Sequence, residues 1–113
     1  MFKLKADDTF TWPVKAKVPE DGKYKTVAFS ATFKILSQDE ISRLIGDDDV
    51  AGSSRRILEQ ALISFTGIDV EGDDGETVTD HDERKEILFK YPFMVSAVSD
   101  AFAAGISGHK AKN

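Results

Sequence analysis

Carboxylates are concentrated in one stretch of this sequence, from Asp69 to Asp80. Oxygen ligands at alternate positions of a twelve-residue loop bind calcium in an EF-hand, which also needs a glycine at the sixth position for its sharp turn. Counted from Asp69, the sixth position is Asp74, and the glycine follows one residue late at Gly75. Because the ligands then do not converge, the stretch is predicted to be a solvated hairpin turn and not a calcium site.

A second group with possible chemistry is Asp80-His81-Asp82, since histidine titrates near neutral pH and carboxylates orient imidazole rings. Neighbouring residues of a helix point about 100° apart, however. The other histidine, His109, lies close to the end of the sequence. His81 is therefore predicted to be a surface residue in the first turn of a helix, and no metal site is expected.

Familiar catalytic motifs do not occur in the sequence. It contains no G-x-S-x-G, no Walker loop, no G-x-G-x-x-G and no H-E-x-x-H. It has no cysteine, which excludes thiol nucleophiles, disulfides and thiolate metal sites. A chain of 113 residues also has little room for a substrate cleft beside its core. We predict a protein that is not an enzyme and that needs no catalytic residue and no cofactor.

The charge balance bears on the class of partner. Fifteen basic and twenty acidic residues give a net charge of -5, which argues against nucleic acid as a partner. No apolar run approaches the roughly 18 residues that would span a bilayer, so no membrane partner is expected and the protein is predicted to be cytoplasmic.

Arg55 and Arg56 could bind phosphate at a helix N-terminus, but solvated arginines are the simpler interpretation.

The first 36 residues predict a long β-hairpin. Apolar and polar residues alternate from Phe10 to Val18 and again from Val27 to Ile35, which is the pattern of half-buried strands. An Asp-Gly pair between the two runs favours a tight turn. Pro13 cannot donate a hydrogen bond within a sheet, so the first strand is predicted to lie at an edge.

Helices are predicted after the hairpin. Ser37 and Glu40 have the spacing of a capping box, which predicts a short helix ending at Gly46. A solvated loop is expected over residues 47–54. An apolar stripe then predicts a helix over residues 54–65, with Gly67 as its left-handed cap.

The closing part of the chain predicts two further helices. Thr79 or Asp80 is a suitable N-cap for a helix that runs to Lys90. Pro92 suits the first position of a last helix over residues 93–104, which Gly105 would end. The predicted fold is α+β, a long N-terminal antiparallel β-hairpin packed against about four α-helices, with a short acidic β-turn segment between helices. Residues 1–106 form one domain in this prediction, and residues 107–113 form a flexible polar tail.

The segment from Ile87 to Val95 is unusually apolar. Seven of its nine residues are apolar, and one helix face cannot hide them all in a small monomer. Either two helices meet the sheet here and these side chains fill the core, or a partner covers them. The candidate partner-binding residues are Phe89, Tyr91, Phe93 and Met94.

Three parts of the sequence carry motifs that occur together in one family. The first is the opening through Trp12-Pro13-Val14, an extended Phe29-x-x-x-Phe33 stretch and a helix over residues 39–45. The second is Phe65-Thr66-Gly67 followed by the Asp74-Gly75 hairpin. The third, residues 83–102, is a helix, a proline break and an Ala- and aromatic-rich helix. In this order they resemble the phage tail assembly chaperones of long-tailed phages.

This resemblance implies a function in virion assembly. It implies that the protein binds the hydrophobic tape measure protein before the tail tube forms around it, keeps that long chain soluble, and leaves before the tail is complete. Many copies would line up on one tape measure protein, so the resemblance also implies self-association as a second interaction. The alternative within the same setting is a structural phage tail or connector component that is retained in the virion.

Overall fold

The computed structural model describes residues 1–2, 8–46 and 50–108. Within these residues, a three-stranded antiparallel sheet with the order β1-β2-β3 packs with four helices, which confirms the predicted α+β class and the N-terminal hairpin. The elements in chain order are β1 (Thr9–Glu20), β2 (Lys23–Lys34), α1 (Gln38–Leu44), α2 (Val50–Ala61), β3 (Leu62–Thr66), α3 (His81–Leu88) and α4 (Pro92–Ser107).

The hairpin closes through the Asp-Gly pair that the sequence indicated. Strands β1 and β2 are in register from Glu20 opposite Lys23 to Thr9 opposite Lys34. Asp21 and Gly22 both have positive φ, 43° and 80°, as a two-residue type I′ turn requires. Strand β1 lies at an edge of the sheet, so the missing N–H of Pro13 is tolerated as predicted.

Helix α4 covers the inner face of the hairpin. Val98 and Phe102 of this helix are buried against the sheet, and the Phe102 ring centroid lies 5.3 Å from that of Phe33 and 6.1 Å from that of Phe10. Gly105 does not end the helix as predicted: α4 continues to Ser107, and Gly108 with φ 75° caps it. Gly105 instead faces Phe10, whose ring a Cβ at this position would overlap.

The predicted helix over residues 54–65 is wrong at both ends. Helix α2 begins earlier, at Val50, so residues 52–54 are helical and not part of a loop. It ends at Ala61, and the chain continues as strand β3 along β2. The second edge of β2 needs a partner for its backbone groups, and a segment with Ile63 and Phe65 suits a strand. Gly67, with φ 102°, follows this strand instead of capping a helix.

Two smaller boundaries also differ from the predictions. Strand β2 ends at Lys34, so Ile35 is exposed, whereas the sequence pattern placed it on the buried face, and Leu36 is buried instead. Helix α1 ends at Leu44, two residues before the predicted Gly46. Its capping box is confirmed, with Ser37 and Glu40 each accepting a 3.2 Å hydrogen bond from the other's backbone N–H.

Helix α3 sets the direction of the last part of the chain. Asp80 caps it by accepting a 3.0 Å hydrogen bond from the Glu83 N–H, as predicted, but the helix ends at Leu88 and not at Lys90. The axes of α3 and α4 are bent by 105°. Pro92 occupies the first turn of α4, as expected. In the described part of the chain, no single helix is long and apolar enough to cross a membrane, and α3 and α4 reach such a length and composition only as a bent pair.

The acidic segment between β3 and α3 is a narrow turn. Glu71 and Thr77 form one isolated antiparallel bridge, and the Gly72 N–H donates to the Glu76 carbonyl over 2.9 Å. The Asp74 carboxylate accepts a 3.0 Å hydrogen bond from the Glu76 N–H. The carboxylates of this turn are exposed, while Val70 and Val78 on either side are buried. The predicted loop at residues 47–49 and most of the predicted tail, residues 109–113, lie outside the described residues.

Candidate functional site

The groups with metal-binding potential do not form a cluster in the part of the chain that is described. Over residues 1–2, 8–46 and 50–108, no three His, Asp or Glu side chains could hold one metal ion together. His81 is exposed at the first position of α3. His109 lies outside the described residues. Among the described residues, the Asp80-His81-Asp82 motif is therefore not part of a metal-binding group.

The two consecutive arginines have different roles. Arg56 donates from Nε to the Leu44 carbonyl over 3.0 Å and from a terminal nitrogen to the Ser53 hydroxyl over 3.1 Å. The same hydroxyl accepts a 2.7 Å bond from the Gly46 N–H, so this group of contacts ties the end of α1 to α2. Arg55 is exposed and pairs with Glu59 at 3.1 Å. Both arginines are exposed, as the interpretation of solvated side chains expects, and Arg56 in addition links α2 to the end of α1.

A lysine of α3 holds this helix against the end of α2. Lys85 Nζ donates to the carbonyl oxygens of Glu59, over 2.6 Å, and Leu62, over 2.9 Å. Burial lowers the pKa of Lys85 below its usual range, against the opposing effect of the nearby Glu59 and Asp82 carboxylates. This role could not be predicted from the sequence, because a lysine on a short polar helix has the same local pattern as a solvated lysine.

Arg84 makes the second attachment of α3. Its guanidinium donates to the carbonyl oxygens of Phe65, over 3.2 Å, and Ile68, over 3.4 Å. It also lies 4.5 Å from the centroid of the Phe65 ring, within the range of a cation–π contact. Arg84 and Lys85 together fix the start of the α3 to α4 bend, which positions the apolar segment that follows.

The four candidate partner-binding residues do not share one environment. Phe89 is 4% exposed and belongs to the core, and Met94 is partly buried against that core. Phe93 is half-buried, whereas Tyr91 is 48% exposed. The rings of Tyr91 and Phe93 lie 5.6 Å apart and are tilted by 31°. The side chains that this segment offers to a partner are therefore chiefly this aromatic pair, Tyr91 and Phe93.

A groove of about 510 Å³ lies next to the aromatic pair, between α2 and α4. We call it the α2–α4 groove. Phe89 and Val95 are its least exposed apolar residues, and its charged residues, Arg55, Lys90 and Asp100, are exposed. Its complete lining is Ser54, Arg55, Phe89, Lys90, Pro92, Val95, Ser96, Ser99 and Asp100.

An apolar floor with a polar rim is the usual construction of a site for an apolar side chain or a peptide. Of the candidate residues from the sequence, only Phe89 lines the groove. The sequence did not indicate that Arg55 and the segment from Ile87 to Val95 contribute to one groove, because the groove forms only when α2 packs beside α4 and no local pattern predicts that contact.

Comparisons with protein-family models, with curated proteins and with solved structures find no match to this chain. They neither support nor contradict the resemblance to phage tail assembly chaperones. The function of the chain must therefore be inferred from its own surface, on which the aromatic pair of Tyr91 and Phe93 lies close in the chain to residues that line the α2–α4 groove.

Proposed function

We propose that this chain is a non-enzymatic phage tail assembly chaperone that binds the tape measure protein and keeps it soluble during tail assembly in the host cytoplasm. The order of the sequence motifs motivates the family, and one structural observation supports the activity. Tyr91 and Phe93 form an aromatic pair beside the α2–α4 groove.

The physical requirements of such a chaperone agree with this surface. A protein that keeps an apolar chain in solution needs accessible apolar area to bind it and a charged exterior to keep the complex dissolved. The aromatic pair and the groove supply the first, and a net charge of -5 supplies the second.

Co-expression with the tape measure protein encoded just downstream tests this proposal. We expect a soluble complex that affinity capture recovers only when both chains are present. Tyr91→Asp places a charge in the aromatic pair and should reduce capture at least tenfold while the chain stays folded. Tyr24→Asp is the matched control, because Tyr24 is also exposed but lies at the tip of the hairpin. Equal capture by both variants would contradict a role for the aromatic pair.

Purified virions distinguish the chaperone from a structural component. A chaperone that leaves before the tail is complete is absent from mature particles, whereas a tail or connector protein is present in stoichiometric amounts. Mass spectrometry of purified particles, with the tail tube protein as an internal reference, measures this directly. Detection of the chain at the copy number of a tail component would replace the chaperone proposal with the structural alternative.

A further inference from the structure

Oppositely charged side chains line different parts of the α2–α4 groove. Lys90 precedes the start of α4 at Pro92, and Asp100 lies eight residues further along the same helix. At 1.5 Å per residue, Pro92 and Asp100 are about 12 Å apart along the helix axis. Arg55 also lines the groove but already pairs with Glu59 at 3.1 Å. The groove therefore has a cation, Lys90, just before the start of α4 and an anion, Asp100, two helical turns along that helix, and Phe89 and Val95 supply apolar surface within it.

The walls of the groove limit the backbone conformation of an occupant. Both are helices, whose backbone N–H and C=O groups are largely bonded within the helix. An extended peptide would find no strand edge here to pair with, and its own backbone groups would lose water without gaining partners. A helix satisfies its backbone internally and buries one apolar face in such a groove.

We propose that the α2–α4 groove binds an amphipathic helical segment of the partner protein, with an acidic residue beside Lys90 and a basic residue beside Asp100. Apolar side chains between these two residues fill the space over Phe89 and Val95. Since Asp100 lies about two turns beyond the start of α4, which Lys90 closely precedes, we place the two charged residues of the bound segment seven or eight positions apart. This inference rests on the proposed function for the identity of the partner, and on the groove alone for its chemistry.

Designed peptides test the groove without the natural partner. The probes are fluorescein-labelled 15-residue helices with the same leucine stripe and with two charged positions seven residues apart, carrying Glu and Lys, two Glu or two Lys. Fluorescence anisotropy with the full chain measures their affinities. We expect the Glu/Lys peptide to bind at least tenfold more tightly than the other two, because only it matches both ends of the groove.

A charge-reversed groove provides the second measurement. In Lys90→Glu the groove carries acidic side chains at positions 90 and 100, while Arg55 stays paired with Glu59, so the peptide with two Lys should become the tightest binder. Lys17→Glu makes the same change on the exposed hairpin and should leave the original order intact. Equal affinities for all three peptides, or an unchanged order in Lys90→Glu, would overturn the proposal.

The two proposals fail separately. If the peptides show no preference but the tape measure protein is captured, the groove proposal is wrong and the proposed function remains. If the Glu/Lys peptide binds selectively but the tape measure protein is not captured, the groove binds a helix of another partner and the proposed function is wrong.

Discussion

The ammonium group of Lys85 lies 2.6 Å from the carbonyl oxygen of Glu59, a residue of the last turn of α2. The last carbonyls of a helix have no partner within it. A second bond from Lys85 reaches the carbonyl of Leu62, where the chain has already become strand β3. One side chain of α3 thus stabilises the point at which the chain changes from helix to strand, and the same contact holds the α3 to α4 bend in place.

Replacement of Lys85 should therefore destabilise the fold. Lys85→Met keeps most of the aliphatic stem but removes both hydrogen bonds, and we expect a loss of about 1–2 kcal/mol in the free energy of unfolding. Urea denaturation followed by circular dichroism measures it. Lys25→Met on the exposed part of the hairpin is the control and should change stability by less than about 0.5 kcal/mol. Equal effects of the two variants would show that the contacts to Glu59 and Leu62 contribute nothing.

The pKa of Lys85 predicts a pH dependence. Burial lowers this pKa in the folded state relative to the usual value of 10.5. Between the lowered pKa and 10.5, the unfolded chain binds more protons than the folded chain, so the free energy of unfolding rises with pH over that interval. We expect the stability difference between wild type and Lys85→Met to increase as pH rises towards 10.5. Urea titrations at several alkaline pH values measure it, and a difference that is constant with pH would contradict the prediction.

Gly105 should not tolerate alanine. Alanine favours a helix by about 1 kcal/mol over glycine, but a Cβ here would overlap the ring of Phe10. We expect Gly105→Ala to lower the free energy of unfolding by about 1–3 kcal/mol. Phe10→Leu in the Gly105→Ala background should restore part of this loss by making space. Thermal unfolding of the two single variants and the double variant forms a double-mutant cycle, and additive effects would rule out the proposed overlap.

Phe89 and Tyr91 are two residues apart but should behave differently when truncated. Phe89→Ala removes a buried ring and should cost about 3–5 kcal/mol of stability. Tyr91→Ala removes an exposed ring and should cost less than about 1 kcal/mol, while capture of the tape measure protein falls. Denaturation and affinity capture of the same samples separate the effects. A large stability loss in Tyr91→Ala would assign Tyr91 to the core.

Structural features that depend on residues close together in the chain could be predicted from the sequence. The Asp21-Gly22 turn, the capping box of Ser37 and the N-cap of Asp80 depend on local backbone geometry and local hydrogen bonds. The hairpin followed from its strict alternation, because a strand with one buried face needs apolar residues at every second position. The predictions of these elements agree with the structure with few changes.

Predictions that depended on distant residues were less successful. The apolar stripe of residues 54–65 fits a helix, yet its last residues, from Leu62 onward, form a strand that pairs with the otherwise free edge of β2. Glycine often ends a helix, yet Gly105 lies inside α4. A residue without a side chain is needed there because the ring of Phe10 occupies the space of a Cβ. In both cases a tertiary contact outweighs the local preference of the segment.

The candidate site likewise combines a property that residue types predict with properties that depend on tertiary contacts. From residue types alone, the segment from Ile87 to Val95 is predicted to carry more apolar area than one helix face can bury. The burial of Phe89, the exposure of Tyr91 and the groove between α2 and α4 follow from tertiary packing. Hydrophobicity is a property of each residue, whereas burial depends on where α3 lies, and Arg84 and Lys85 hold this helix through contacts with residues distant in the chain.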